Sequence, residues 1–95
     1  MNDVDIHHEV RGEVEEGGWQ LCFQWCTYNY QGDAPSEDGY RFIWRKPNGN
    51  LEPARGQARI PSAAHIFNLL RLASNAGWFV TVEPEYRQQA AATQL

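Results

Sequence analysis

The clearest feature of the chain is an alternation of apolar and polar side chains over residues 19–30. Every second position in its first half is large and apolar: Trp19, Leu21, Phe23 and Trp25. This is the period of a β-strand with one apolar face. Residues 40–46 repeat the pattern, with a face formed by Tyr40, Phe42 and Trp44. The alternation therefore predicts two strands, joined by a polar loop over residues 31–39.

A turn signal follows the second of these strands. Asn48-Gly49 is the strongest short hairpin signal, because both central residues of a type I′ turn need a positive φ. We expect a two-residue turn there and a return strand over residues 51–60. In that register Arg45 faces Glu52 in a cross-strand ion pair.

One helix is predicted after the hairpin. Apolar residues recur at helical spacing after Ser62, which is suited to the N-cap: Ile66, Phe67, Leu69, Leu70 and Ala73. Gly77 stands where a left-handed residue commonly ends a helix. Residues 78–82 predict a last strand, with Trp78 and Val82 on one side.

The two ends of the chain carry weaker patterns. Residues 1–18 are acidic and polar, and they predict a weakly structured segment with at most a short edge strand. Residues 85–95 predict a flexible tail. A chain of 95 residues has room for one small domain, residues 1–95. The order of elements predicts an α+β fold: an antiparallel β-meander of three to five strands with one α-helix packed on one sheet face.

The net charge of −4 argues against a general attraction to nucleic acid or anionic lipid. The charge is unevenly distributed, however. Residues 1–38 carry nine acids and one base, whereas residues 39–82 carry six bases and one acid. The middle of the chain is therefore a basic segment that follows an acidic one.

The predicted hairpin gathers part of this basic segment on one surface. Arginine together with tyrosine is typical of protein interfaces, and of sites that hold phosphates and stack bases. The arginines could equally be occupied within the chain, either because the acidic segment pairs with them or because their stems cover apolar sheet surface. The candidate binding residues are Arg41, Arg45, Arg55, Arg59, Tyr28 and Tyr30.

No catalytic or metal-binding motif is evident. Cys22 and Cys26 lie four residues apart on one predicted strand, about 13 Å at the usual rise per residue. That separation is too long for a disulfide, and the spacing does not suit a zinc site. We expect two reduced thiols, no metal, no cofactor and no enzymatic activity. With no apolar run of membrane-spanning length and no secretory signal, we expect a cytoplasmic protein that does not enter a membrane.

These features predict a small non-catalytic binding protein that acts through protein–protein interaction. The predicted open face of the sheet, or an edge strand, favours self-association as a homodimer or a larger homo-oligomer. The surface of arginine and aromatic residues favours binding of a protein partner. The alternative is a module that binds single-stranded nucleic acid through the same hairpin.

Overall fold

The structure, a computed structural model, describes residues 3–52 and 58–79. Its elements are β1 (Asp3–Val14), a short 3-10 turn (Glu16–Gly18), β2 (Gln20–Asn29), β3 (Glu37–Arg45) and α1 (Ala63–Asn75). The three strands form an antiparallel sheet in the order β1-β2-β3. Helix α1 packs against β1 and β2. The predicted α+β meander with one helix on the sheet is confirmed.

The central strand β2 is buried on both of its faces. Leu21 and Phe23 contribute to the core beneath α1, where Leu69 and Ala73 meet them from the helix. The aromatic positions of β3 lie beside this core, since Phe42 is opposite Phe23 and their ring centroids are 4.7 Å apart. The strict alternation in the two strands therefore marks the helix-covered face correctly.

Strand β1 is longer than the sequence pattern predicts. It runs for twelve residues and pairs antiparallel with β2 from Asp3 opposite Asn29 to Val14 opposite Gln20. The register shifts between Ile6 and His8 and again between Arg11 and Val14. These irregularities explain the weak alternation of this segment, because an extra residue in a strand interrupts the period of two. The expectation of a weakly structured segment is wrong for residues 3–14.

The hairpin loop after β3 contains three residues instead of two. The Gly49 N–H donates to the Lys46 carbonyl at 2.8 Å, and Gly49 has a φ of 88°. Asn48 does not have a positive φ, so the turn is not type I′. Pro47 accounts for the difference, because its ring fixes a negative φ and suits the first corner of a type I turn. A type I turn followed by a left-handed glycine is the common three-residue hairpin loop.

The longer loop changes the pairing that follows it. Arg45 is bridged to Leu51, so the predicted pairing of Arg45 with Glu52 is wrong. The described part of the predicted return strand contains only this isolated bridge, since residues 58–60 have no strand structure. Residues 53–57 lie outside the described residues.

Helix α1 begins after Ser62, as predicted, but Ser62 does not cap it through its side chain. The Ser62 hydroxyl lies 2.7 Å from His65 Nδ1 instead. At the other end, the Gly77 N–H donates to the Ser74 carbonyl, and Gly77 has a φ of 86°. Among residues 3–52 and 58–79, no helix is long and apolar enough to cross a membrane.

The segment after Gly77 is not the predicted strand where the structure describes it. Trp78 and Phe79 have helical backbone, and each side chain is about 6% exposed. Two consecutive residues of a strand point to opposite faces, whereas here both side chains pack on the same core. The ring centroids of Trp78 and Phe23 are 5.5 Å apart. Residues 80–82 of that predicted strand and the predicted tail, 85–95, lie outside the described residues.

Candidate functional site

The candidate site is the sheet face opposite α1, which we call the polar face. Side chains on a strand alternate between faces, so the register assigns its members from all three strands. They are Val4, Ile6, Glu9, Arg11 and Val14 from β1, Gln20, Cys22, Gln24, Cys26 and Tyr28 from β2, and Glu37, Gly39, Arg41, Ile43 and Arg45 from β3.

Glu9 is at the centre of the hydrogen bonds on the polar face. It accepts from Arg45 through Nη2 at 2.8 Å and Nε at 3.2 Å, both to Oε2. Gln24 Nε2 donates to the same oxygen at 2.5 Å, and Arg11 Nε donates to Oε1 at 2.6 Å. The Glu9 side chain is only 12% exposed, and three donor side chains satisfy its carboxylate.

These contacts determine the ionisation of the pair. Burial acts to raise the pKa of Glu9, but the hydrogen bonds from Arg45, Gln24 and Arg11 outweigh it and hold the pKa below its ordinary value of 4.5. The hydrogen bond to Glu9 raises the pKa of Arg45. Both groups are therefore charged at neutral pH, and Arg45 shares the Glu9 carboxylate with Arg11.

Gln24 connects this ion pair to Arg41. It is fully buried, which is costly for a side-chain amide unless its polar atoms are paired. Its nitrogen donates to Glu9, and its oxygen accepts from Arg41 Nε at 2.7 Å. The donors and acceptors around it determine the orientation of the amide, and Arg41 is held in place by it.

The two cysteines lie beneath this layer of polar side chains. Both are free and fully buried, so the prediction that they do not bridge is confirmed. Burial raises the pKa of each thiol; for Cys22 the Glu9 carboxylate adds to the effect, while Arg45 opposes it, and for Cys26 Arg41 opposes it. Each thiol is therefore protonated at neutral pH and a poor nucleophile.

The structure brings together some of the predicted binding residues. Arg41, Arg45 and Tyr28 share the polar face. Tyr30 follows β2, is 38% exposed, and its hydroxyl donates to Glu37 Oε2 at 3.2 Å. Of the predicted binding residues, Arg45 forms an ion pair with Glu9. The acidic and basic segments therefore pair with each other at this point inside the chain.

Arg59 is not placed with Arg41 and Arg45. Its carbonyl accepts a hydrogen bond from Trp44 Nε1 at 2.8 Å, and the Trp44 side chain belongs to the helix-covered face. The Arg59 backbone therefore lies beside that face of the sheet. Arg55 lies outside the described residues.

Sequence reasoning missed Glu9 and Gln24, which organise the polar face. Glu9 is one of nine acids in residues 1–38, and no local pattern distinguishes it from the others. Gln24 occupies a polar position of an alternating strand, which ordinarily indicates solvent exposure. Only the placement of β1 beside β2 brings the two side chains together.

A second cluster of polar side chains lies where β1 ends and α1 begins. His65 Nε2 lies 3.0 Å from Glu15 Oε1, and its Nδ1 faces the Ser62 hydroxyl. A shallow groove of about 230 Å³ runs beside it. The cluster joins the loop after β1 to the first turn of α1. No group of three or more His, Cys, Asp or Glu side chains in residues 3–52 and 58–79 is placed to hold a metal ion.

No protein-family model, curated protein or solved structure matches this chain.

Proposed function

We propose that this protein is a small non-catalytic binding protein that acts through protein–protein interaction and self-associates. Its binding surface is the polar face. The observation that supports this is the set of contacts that the Arg41 side chain makes. Its Nε is bound to Gln24, and no carboxylate of the described residues lies within 4.0 Å of its guanidinium group.

The contrast with Arg45 makes Arg41 the candidate contact. Arg45 is neutralised by Glu9 inside the chain, so its charge offers little to a partner. Arg41 is held by a neutral amide and keeps its charge. A guanidinium group that is already oriented loses little entropy when it binds a carboxylate, and arginine–carboxylate pairs are strong when two nitrogens take part.

Aromatic side chains border the same surface. Tyr28 lies on the polar face next to Gly39, and Tyr30 is partly exposed just beyond the end of β2. Tyrosine and arginine are enriched where protein interfaces have their largest energetic contributions. The surface therefore has the composition of a protein interface of modest size.

The nucleic-acid alternative has less support from the described residues. A single-strand binder needs several cations along one groove to hold successive phosphates. Arg45 is paired with Glu9, and Arg59 lies beside the opposite face. Arg11 shares the Glu9 carboxylate with Arg45, so Arg41 is the polar-face arginine without a carboxylate partner among the described residues, and one such cation is a poor basis for a groove.

Sedimentation velocity over a micromolar concentration series tests the proposal. We expect the sedimentation coefficient to rise with concentration for the wild type and to rise less for Arg41→Glu. Arg71→Glu is the matched control, because Arg71 is exposed on α1 and contacts Asn68 there. A wild-type protein that is monomeric at every concentration would refute self-association.

A parallel titration distinguishes the alternative. Oligonucleotides are added while tryptophan fluorescence is recorded at two salt concentrations. Quenching that weakens steeply with salt would favour nucleic-acid binding, because phosphate contacts release counterions. Unchanged fluorescence at low salt agrees with the protein-binding proposal.

A further inference from the structure

We infer that the partner of the polar face is the same face of a second copy of this chain, packed face to face about a two-fold axis. This inference rests on the proposed function and specifies its partner and its geometry. It follows from an exposed apolar patch on the polar face and from two opposite charges beside that patch.

The apolar patch lies at the end of the polar face where β1 begins. The register places Val4 opposite Tyr28 and Ile6 opposite Cys26. Ile6 is 41% exposed, and Val4 and Tyr28 are partly exposed. We call these three side chains the Ile6 patch. Apolar side chains surrounded by polar ones are the usual arrangement of a protein interface.

The Tyr28 ring extends this patch across to β3. Gly39 has no side chain, and a Cβ atom placed there would lie 3.5 Å from Tyr28 Cε2. The ring therefore covers Gly39 and provides the surface at that position. Apolar and aromatic side chains thus reach from β1 to β3 at this end of the polar face.

Glu37 and Arg41 are the charges that border the Ile6 patch on β3. They lie four residues apart, about 13 Å at the usual rise, which is too far for them to pair with each other. The Tyr30 hydroxyl donates to Glu37, and Arg41 donates to Gln24. Among the described residues, neither has an opposite charge within 4.0 Å. Each is therefore available to an ion-pair partner from another chain.

One two-fold axis matches both charges. It lies in the interface at right angles to the strands and crosses β3 at Gly39. Rotation about it stacks each strand on its own copy in the opposite direction, so Glu37 faces Arg41 of the second copy and the contact forms twice. Ile6 meets the second copy's Ile6 at the axis, because Ile6 and Gly39 are both opposite Cys26. Sheets packed face to face lie about 10 Å apart, a distance that two long side chains span.

Other two-fold arrangements of this face match the charges less well. An axis that crosses β3 at Arg41 would pair Glu37 with Arg45 of the second copy, but it would bring the two Arg41 side chains together, which is unfavourable. An axis parallel to the strands would set β1 on β3 of the second copy. Glu37 would then face the apolar Val4, and Arg41 would face Glu9, whose carboxylate three donors already satisfy.

A charge-exchange experiment tests the pairing by sedimentation equilibrium. Glu37→Arg and Arg41→Glu each place like charges in contact, and we expect each to weaken the dimer by about tenfold or more. The double variant E37R/R41E restores opposite charges, and we expect its dissociation constant to return to within about threefold of the wild type. Arg71→Glu, on the exposed face of α1, is the control and should leave the dissociation constant unchanged. Circular dichroism verifies the fold of each variant.

A cross-linking experiment tests the position of the axis. Ile6→Cys places a thiol at the axis, and we expect a short bis-maleimide to join two copies through it. Val14→Cys is the matched control, because Val14 is 64% exposed on the same strand and face but lies roughly 26 Å from the axis at the usual rise. We expect a covalent dimer on a denaturing gel for Ile6→Cys, and none for Val14→Cys or for the wild type, whose two cysteines are buried.

The outcomes separate the two proposals. A wild type that dimerises while E37R/R41E stays as weak as the single variants overturns the face-to-face pairing and leaves self-association standing. Equal cross-linking through Ile6→Cys and Val14→Cys would indicate an axis parallel to the strands and also overturns the inference. A wild type that stays monomeric overturns the proposed function itself.

Discussion

Glu9 and Arg45 are 36 residues apart in the chain, yet Arg45 Nη2 lies 2.8 Å from Glu9 Oε2. They come from the two outer strands of the sheet, and the buried Gln24 of the central strand, opposite Glu9, donates to the same carboxylate oxygen. The acidic and basic segments of the chain therefore meet at this point. Arg45 and Arg11 share the Glu9 carboxylate there, whereas Arg41 is held by an amide.

The first prediction concerns the contribution of this ion pair to stability. Glu9→Gln leaves Arg45 without its carboxylate and disturbs the amide of Gln24, so we expect a loss of about 1–3 kcal/mol in the free energy of unfolding. Glu13→Gln, an exposed acid on the same strand, is the control and should cost less than about 0.5 kcal/mol. Urea unfolding followed by tryptophan fluorescence measures both. Equal effects of the two variants would show that the Glu9 contacts contribute nothing specific.

A second prediction concerns the pH dependence of that contribution. The pKa of Glu9 is lower in the folded protein than its ordinary value of 4.5, so the unfolded chain binds the proton more readily. The stabilisation is therefore complete above the unfolded-state pKa and is lost as the pH falls through the folded-state pKa. The stability difference between wild type and Glu9→Gln should be constant near neutral pH and shrink in acid. Urea titrations at a series of pH values test this, and a difference that grows in acid would contradict the assigned pKa direction.

The third prediction concerns the buried thiols. Cys22 and Cys26 are fully buried and their pKa values are raised, so both should react with a disulfide reagent far more slowly in the native protein than in urea. Arg41→Ala removes the side chain beside Cys26 and should accelerate its labelling more than that of Cys22. Mass spectrometry of labelled peptides identifies the site. Native labelling as fast as in urea would mean that the polar face does not shield them.

The fourth prediction concerns Gly18, which has a φ of 90°. A Cβ atom at this position would lie 3.0 Å from the Pro47 Cβ. Gly18→Ala therefore adds a steric clash to the cost of a left-handed backbone. Gly32 also has a positive φ, but its Cβ would meet nothing within 4 Å, so Gly32→Ala isolates the backbone cost of about 1–2 kcal/mol. We expect Gly18→Ala to be the more destabilising by about 1–3 kcal/mol in urea unfolding, and equal costs would show that Pro47 moves aside freely.

Several parts of the fold could be predicted from the sequence because their signals are local. The alternation around Phe23 and Phe42 identified two strands and their apolar faces, and the helical spacing around Leu69 identified α1. Such periods depend only on the geometry of one strand or one helix. The separation of two cysteines along a single strand was predictable for the same reason.

Other features depend on contacts between distant segments. The twelve-residue length of β1 depends on its pairing with β2, and its irregular register conceals it in the sequence. The hairpin register depends on Pro47, whose fixed φ outweighs the Asn-Gly signal beside it. Trp78 and Phe79 take a helical backbone where both rings reach the same core, against their own preference for strands.

By itself, the sequence determined the α+β class, the central strands, the helix and the uneven distribution of charge. The tertiary structure alone decided which charges remain available. No local sequence pattern around Glu9 or Arg45 identifies the other residue as its partner, because β1 and β3 become neighbours of β2 only when the sheet forms. That arrangement neutralises Arg45 and leaves Arg41 on the polar face, and this difference between two arginines of one strand is the basis of the proposed function.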